Sequence, residues 1–304
     1  MTTIALTGGT GFIGRQLMRD LSQRGFKVRV LLRRPTDVPL HCDSALIGDL
    51  TRPQNLAAAF ADAEAVVHSA GTAHAMSGIP ADDYRAINTE GTIALARAAE
   101  RAGVRRFVFL SSIRAQSGPH AAEILTEALE PRPTDAYGRS KLAAEHGLAQ
   151  LGMDWVALRP VLVYGPGAKG NMAALAALAR SPYPLPLAGL QAKRSLLALD
   201  NLATAVAHVL AAPGPLRRPF IVADSDAVSV PQMIAAMRAA TGRRPGLVPV
   251  PEALIKSALT WSGRREWIDR LCAPLVVSTA ALQEVGWTPQ VSTRAGLAAF
   301  AAAP

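Results

Sequence analysis

Ile4-Ala5-Leu6-Thr7-Gly8-Gly9-Thr10-Gly11-Phe12-Ile13-Gly14 is the stretch from which the fold is read. A short apolar run ends in glycines spaced three apart, and Phe12 to Arg24 then carries Ile13, Leu17 and Leu21 at helical spacing. The pattern is strand, tight turn, helix. Each glycine serves a physical purpose, whether turning the chain sharply, letting the backbone approach a pyrophosphate, or letting helix and strand pack closely. Free amides and the dipole at the helix start favour an anion there. Gly8, Gly11, Phe12, Ile13 and Gly14 are therefore expected to hold the phosphates of a dinucleotide.

Outward from this turn, apolar runs recur at Val28–Leu32, Ala45–Ile47, Ala65–His68 and Arg106–Leu110. Helical stretches separate them, the longest from about Tyr84 to Arg101. Strands alternating with helices imply an α/β fold, a doubly wound parallel sheet of Rossmann type with both faces covered. In such sheets ligands bind beyond the carboxyl ends of the strands. After Tyr164 the texture changes, with Gly165-Pro166-Gly167, prolines at 182, 184 and 186, and the stretch Pro245 to Pro251. Proline at this density breaks long elements. The expected organisation is a dinucleotide-binding domain over 1–165 and a smaller, irregular substrate lobe over 166–304. The segment 195–224 is expected to return to the sheet through Phe220-Ile221-Val222, and the alanine-rich Met172–Ala179 reads as a helix.

The second strand ends Leu31-Leu32-Arg33-Arg34, where an acidic residue would bind the ribose 2'-hydroxyl of NAD. Two guanidinium groups suit a 2'-phosphate instead. The expected cofactor is NADP, with NAD as the alternative, and solvated loop arginines as the bland reading. Asp49 and Leu50, after the third strand, are candidates for the adenine end, a loop cap being the competing role for Asp49.

Tyr137-Gly138-Arg139-Ser140-Lys141 sets a phenol and an amine four apart, on one face of a helix. A free tyrosine titrates near about 10, and a nearby cation stabilises the phenolate, so Tyr137 could act as general acid or base. Ser111-Ser112 follows a strand at the same rim and offers a hydroxyl for a substrate oxygen. Alone, such a spacing means a surface helix; joined to the glycine turn, it reads as catalytic machinery of Ser112, Tyr137 and Lys141.

The remaining composition excludes other classes. Half the residues are hydrophobic and 18% are charged, so the chain buries a core. A net charge of +9 is compatible with an anionic substrate. The arginines fall in scattered pairs with no basic run interleaved with aromatics, which argues against nucleic acid. Cys42 and Cys272 form no disulfide framework, and His41, His74, His120, His146 and His208 share no ligand spacing with carboxylates, so no metal is expected. There is no G-x-S-x-G elbow for a hydrolase. No apolar run reaches the roughly 18 residues of a membrane span, and the first strand leaves little space for a leader, so a cytoplasmic location is expected.

With these residues assembled, the chain closely resembles the extended short-chain dehydrogenase/reductase family, the NAD-dependent epimerases and dehydratases, and within it nucleotide-sugar 4-epimerases and 4-ketoreductases. The resemblance spans nearly the whole chain. It rests on TGGTGFIG (7–14), HSAG (68–71), INTEGT (87–92), FVFLSS (107–112), YGRSK (137–141), LRPVLVYGPG (158–167), KRSLLALDNLA (193–203) and STAALQEVGWTP (278–289). It implies that Ser112 is the catalytic hydroxyl, Tyr137 the acid/base, and Lys141 the residue that binds the nicotinamide ribose and tunes the tyrosine. It also implies that Ala70 and Gly71 pass the cofactor, that Asn88 supports the site, and that Pro160 and Val163 border the nicotinamide. Asn171 and Arg194 would meet the diphosphate of a nucleotide-sugar, with an interdomain salt bridge as the other role for Arg194.

Three features depart from the sugar epimerases: the missing acid after the second strand, the loop Ile113-Arg114-Ala115-Gln116 without its usual tyrosine, and Arg270-Leu271-Cys272-Ala273-Pro274 in place of a customary substrate contact. They favour a ketoreductase over an epimerase. The expected activity is hydride transfer at a hydroxyl or keto carbon of a nucleotide-sugar, with a homodimer as the candidate assembly. A non-catalytic NADP-binding or sensing protein on the same fold is the alternative.

Overall fold

The computed structural model describes residues 2–72 and 79–302, the side chains of Glu266 and Arg270 aside. His74 lies outside the described residues. The first half of the chain alternates as its apolar pattern implies: β1 (Thr3–Thr7), α1 (Phe12–Gln23), β2 (Lys27–Leu32), β3 (Asp43–Leu46), α2 (Leu56–Ala59) and β4 (Ala63–His68). Then α3 (Ala81–Tyr84), a π-helical turn (Arg85–Glu90) and α4 (Gly91–Arg101) run on as one continuous helix to β5 (Arg106–Leu110). α5 (Ile113–Gln116), α6 (Ala136–Ala149) and β6 (Asp154–Pro160) follow.

Seven strands form one sheet in the order β10-β6-β5-β4-β1-β2-β3, every neighbouring pair parallel. Here β10 (Arg218–Val222) comes from the far part of the chain and pairs with β6, placing Val222 opposite Pro160. Strand β1 is buried along its whole length, as is β5, because helices cover both faces. On one face, Leu17, Met18 and Leu21 of α1 pack with Leu202, Val206 and Val209 of α8 (Leu199–Ala211). On the other, Leu95 and Ala99 of α4 meet Ala144 and Leu148 of α6. Each such leucine, valine or methionine contributes about 1.5–3 kcal/mol on burial, so the sandwich is the main source of stability.

The strand order reverses between β1 and β4, and the register sets Thr7 beside both Leu31 and His68. A crevice at such a reversal is where the loops after adjacent strands part. Here the loops after β1 and β4 face each other across it.

The remaining strands pair in twos, apart from the main sheet. β7 (Leu162–Tyr164) pairs with β9 (Leu196–Ala198), and β8 (Lys193–Arg194) with β11 (Val228–Ser229). α7 (Asn171–Arg180), α9 (Val230–Ala240) and α13 (Thr293–Ala302) enclose a third apolar cluster around Tyr164, Met172, Met237 and Leu297. Ser229 and Gln232 close a capping box at the start of α9. α10 (Glu252–Trp261), α11 (Glu266–Cys272) and α12 (Ala280–Glu284) complete the chain. Among the described residues, no helix is long and apolar enough to cross a membrane.

Candidate active site

The glycine turn is shaped by what its residues lack. Gly8 has φ +73°, and a Cβ there would stand 2.7 Å from the Ala70 nitrogen, so the loops after β1 and β4 touch only because this residue is glycine. A Cβ at Gly9 would lie 2.6 Å from Val30 Cγ1, and one at Gly14 would collide with the Gly8 carbonyl. The Gly11 amide donates to that carbonyl at 2.9 Å and closes the turn. Gly11 is also the N-cap of α1, contributes no side-chain cap, and is followed by no acidic residue in the first turn. The helix start therefore keeps amide donors and positive potential that a phosphate fits, and the residues present suit a dinucleotide.

Beneath the turn, the buried His68 joins β1 to the start of α4. Thr92 Oγ1 donates to the Asn88 carbonyl at 2.7 Å, so it accepts at 3.0 Å from His68 Nε2, which carries the proton. His68 Nδ1 then accepts from Thr7 Oγ1 at 2.7 Å, and Thr7 accepts in turn from the Ala70 amide at 3.2 Å. Burial, reinforced by the Lys141 charge, holds the imidazole neutral with its pKa pushed down to about 3.

Asn88, 1% exposed, uses its amide twice on Thr72 and once on Ser140: Oδ1 accepts from the Thr72 amide at 2.8 Å, and Nδ2 donates to the Thr72 carbonyl and to Ser140 Oγ. The uniform helix expected from Tyr84 to Arg101 contains the wider π turn at this point. That turn puts Asn88 and Thr89 against α6, where Thr89 Oγ1 donates to the Ser140 carbonyl at 2.7 Å.

α6 brings Tyr137, Lys141 and Glu145 onto one face at four-residue spacing, starting from Asp135, whose carboxylate accepts from the Gly138 amide at 2.6 Å. The Ser112 hydroxyl lies near the Tyr137 phenol and favours its ionised form. Lys141 is 5% exposed and donates to the Leu110 carbonyl at 2.9 Å, with its ammonium 6.0 Å from the centre of the Tyr137 ring. It also lies 3.5 Å from where a Cβ of Gly71 would stand, so the loop after β4 and the α6 lysine meet. Burial, against the partial support of Glu145, lowers the Lys141 pKa to about 8.

Tyr137 differs from the expectation that an ammonium would lower its pKa. Burial raises it; the hydroxyl of Ser112 and the charge of Arg114 act in the lowering direction, and the Asp135 charge in the raising one. The Lys141 ammonium is turned to the Leu110 carbonyl and acts less directly on the phenol.

A second buried network underlies the Tyr137 and Lys141 face of α6. Ser111 Oγ donates to Glu145 Oε1 at 2.5 Å, and Arg159 donates to both carboxylate oxygens, with Nε to Oε1 at 3.0 Å. Both partners are 3% exposed in their side chains, and Arg159 also donates to Gln116. A fully hydrogen-bonded ion pair of this kind fixes β6 against α6.

The other sequence candidates are dispersed around this centre. Arg33 and Arg34 are exposed at the end of β2, Arg33 3.9 Å from Asp49. Asp49 caps its own loop, accepting from the Thr51 amide and hydroxyl at 2.9 Å each, which holds its pKa down. Leu50 packs on the α4 side of the core, Pro160 ends β6 and Val163 lies in β7. Asn171 is exposed at the start of α7. Arg194 spends its terminal nitrogens on the carbonyls of Asp269, Ala273 and Pro119, bridging the α11 end to the loop after α5 through backbone hydrogen bonds. Among the described residues no group of three histidines, cysteines or carboxylates could hold a metal ion.

Sequence reasoning singled out Ser112, Tyr137, Lys141 and Asn88 and missed Thr7, His68, Thr92, Arg114, Asp135 and Glu145 as parts of the site. A capping signal was present for Asp135, three residues before Gly138; the rest of this group is joined only through space.

Residues 4–222 match the family model described as NAD dependent epimerase/dehydratase family. The chain is 32% identical to a UDP-glucose 4-epimerase of Vibrio cholerae over 97% of its own length and 93% of that protein's. It is 28% identical to a 2-alkyl-3-oxoalkanoate reductase of Stenotrophomonas maltophilia, with 97% of each chain covered. Among solved structures, MoeE5 in complex with UDP-glucuronic acid and NAD superposes with a TM-score of 0.76 at 27% identity, covering 98% of this chain and 97% of the other.

Proposed function

The chain belongs to the NAD dependent epimerase/dehydratase family, and from that premise we propose that it is an oxidoreductase acting at a hydroxyl or keto carbon of a nucleotide-linked sugar, as a 4-keto sugar reductase or a 4-epimerase. The observation that carries this reading is the convergence of the Ser112 hydroxyl, the Tyr137 phenol and the Lys141 ammonium beside Gly71, at the mouth of the glycine turn. A bound nicotinamide would supply the hydride donor or acceptor. Ser112 holds the substrate oxygen, and Tyr137 gives that oxygen its proton in reduction or takes it in oxidation. Lys141, with its pKa near 8, exchanges protons readily at neutral pH and supports the ribose.

NADP is the preferred cofactor in this reading. Arg33 and Arg34 stand where an acidic residue would favour the 2'-hydroxyl of NAD, and a 2'-phosphate would compete with Asp49 for Arg33. The proposed substrate lobe, 166–304, would present Asn171 to the diphosphate. Arg194 would contribute charge there from a side chain already braced by carbonyls, which accept its hydrogen bonds without neutralising it. The three departures from the sugar epimerases favour reduction over epimerisation.

The test is turnover of a panel of UDP- and dTDP-linked sugars and 4-keto sugars with NADPH, NADH and their oxidised forms. Tyr137→Phe is expected to lower kcat by about 10²–10⁴-fold with cofactor binding retained. Cofactor binding without turnover of any member, and no difference between the variant and the parent, would instead support the non-catalytic alternative.

A further inference from the structure

Arg114 occupies an unusual place for a cation. It sits in the four-residue helix α5, directly after the Ser112 cap, and its side chain is 13% exposed. Its terminal nitrogen donates to Asp135 Oδ2, while its Nε–H is buried without a hydrogen-bond partner among the described residues. A buried donor left unmade is a cost that a neutral side chain would avoid.

The surrounding bonds form a ring. The Arg114 amide donates to Ser112 Oγ at 3.2 Å, the Arg114 guanidinium holds one oxygen of Asp135, and the other oxygen caps α6 at the Gly138 amide. Tyr137, between Asp135 and Gly138, closes the ring on Ser112. Gly138 makes the approach feasible, because a Cβ there would strike the Arg114 carbonyl oxygen. We propose that the Arg114–Asp135 ion pair is a positioning device for Tyr137, clamping the start of α6 to α5 so that the phenol stays on the Ser112 hydroxyl. The inference rests on the reading of Tyr137 as the proton-transfer residue.

The clamp is also electrical. Facing Tyr137 are Arg114 and Ser112 from α5, Asp135 and Lys141 from the α6 end, and the Tyr84 ring from α3, 6.0 Å away and edge-on. Arg114 favours the phenolate and Asp135 opposes it. Removing one member of the pair therefore leaves the other uncompensated, and the two removals act on Tyr137 with opposite sign.

The experiment is a ¹³C titration of ring-labelled tyrosine in the full chain without substrate. The chain has four tyrosines, and Tyr137→Phe assigns the signal. Arg114→Met is expected to raise the Tyr137 midpoint by about one pH unit, and Asp135→Asn, which keeps a capping oxygen, to lower it by about as much. Arg114→Lys should restore most of the parent value. In turnover, the limb of the oxidation rate that requires phenolate should move with the midpoint in each variant. Shifts of the same sign, or no shift, overturn the clamp. Should Arg114→Met fail to fold, the downward shift in Asp135→Asn remains decisive. The titration needs no turnover, so loss of the proposed activity and failure of the clamp are read separately.

Discussion

His68 makes the clearest prediction at the scale of one residue. Its ring is inaccessible, its tautomer is set by the Thr92 hydroxyl having already donated to Asn88, and its pKa is pushed down to about 3 against an ordinary 6.5. The unfolded chain therefore binds a proton below pH 6.5 that the folded chain refuses. Stability from this group is whole above pH 6.5 and is lost as the pH falls toward 3, by about 2 kcal/mol at pH 5. Urea unfolding of His68→Gln at pH 7 and pH 5 should show a smaller fall between the two pH values than the parent, although the variant is weaker at pH 7. Equal falls would mean that another group carries the acid sensitivity. The sequence sets His68 at the end of an apolar strand but names none of its partners, since Thr7, Thr92 and Asn88 come from 61, 24 and 20 positions away.

At the scale of the element, the turn between β1 and α1 was fully legible, because glycine spacing, an apolar strand and a helical period follow one another without interruption. Its prediction is correspondingly sharp. In Gly14→Ala the new methyl collides with the Gly8 carbonyl, so the turn must open and the start of α1 move. Cofactor affinity should fall by about 100-fold, on the order of 3 kcal/mol, as measured by fluorescence titration with NADPH. An unchanged affinity would remove the phosphate role from this turn. α6 was less legible. Its inward face carries Tyr137, Lys141 and Glu145 as well as Ala144 and Leu148, so polarity does not sort cleanly by face and only the Tyr-to-Lys spacing marked it. The π turn before α4 left no trace in the sequence, because its reason is the fit of Asn88 and Thr89 against Ser140.

For the whole molecule, the parallel sheet and its two helical faces put the loops after β1, β2 and β4 around one crevice, so a ligand there binds only the folded chain. A cofactor at 100 times its dissociation constant should add about 2.7 kcal/mol, an increase of roughly 5 °C in Tm for a chain of this size. At equal concentrations NADPH should raise Tm more than NADH, and Arg33→Ala with Arg34→Ala should erase the difference. A larger shift with NADH would reassign the cofactor preference to NAD.

Local order determined a good deal by itself: the alternation of apolar runs and helical periods implied the doubly wound sheet, the glycines implied the tight turn before α1, and the four-residue spacing put Tyr137 and Lys141 on one face. These are features of neighbours along the chain, and propensity and periodicity act at that range. Tertiary structure alone decided which donors meet which acceptors. It turned Lys141 to the Leu110 carbonyl, left burial to raise the Tyr137 pKa, joined Arg114 to Asp135, and engaged Arg194 with three backbone carbonyls. A side chain's charge and hydrogen bonds depend on groups brought to it by folding, and desolvation exists only once the core has closed.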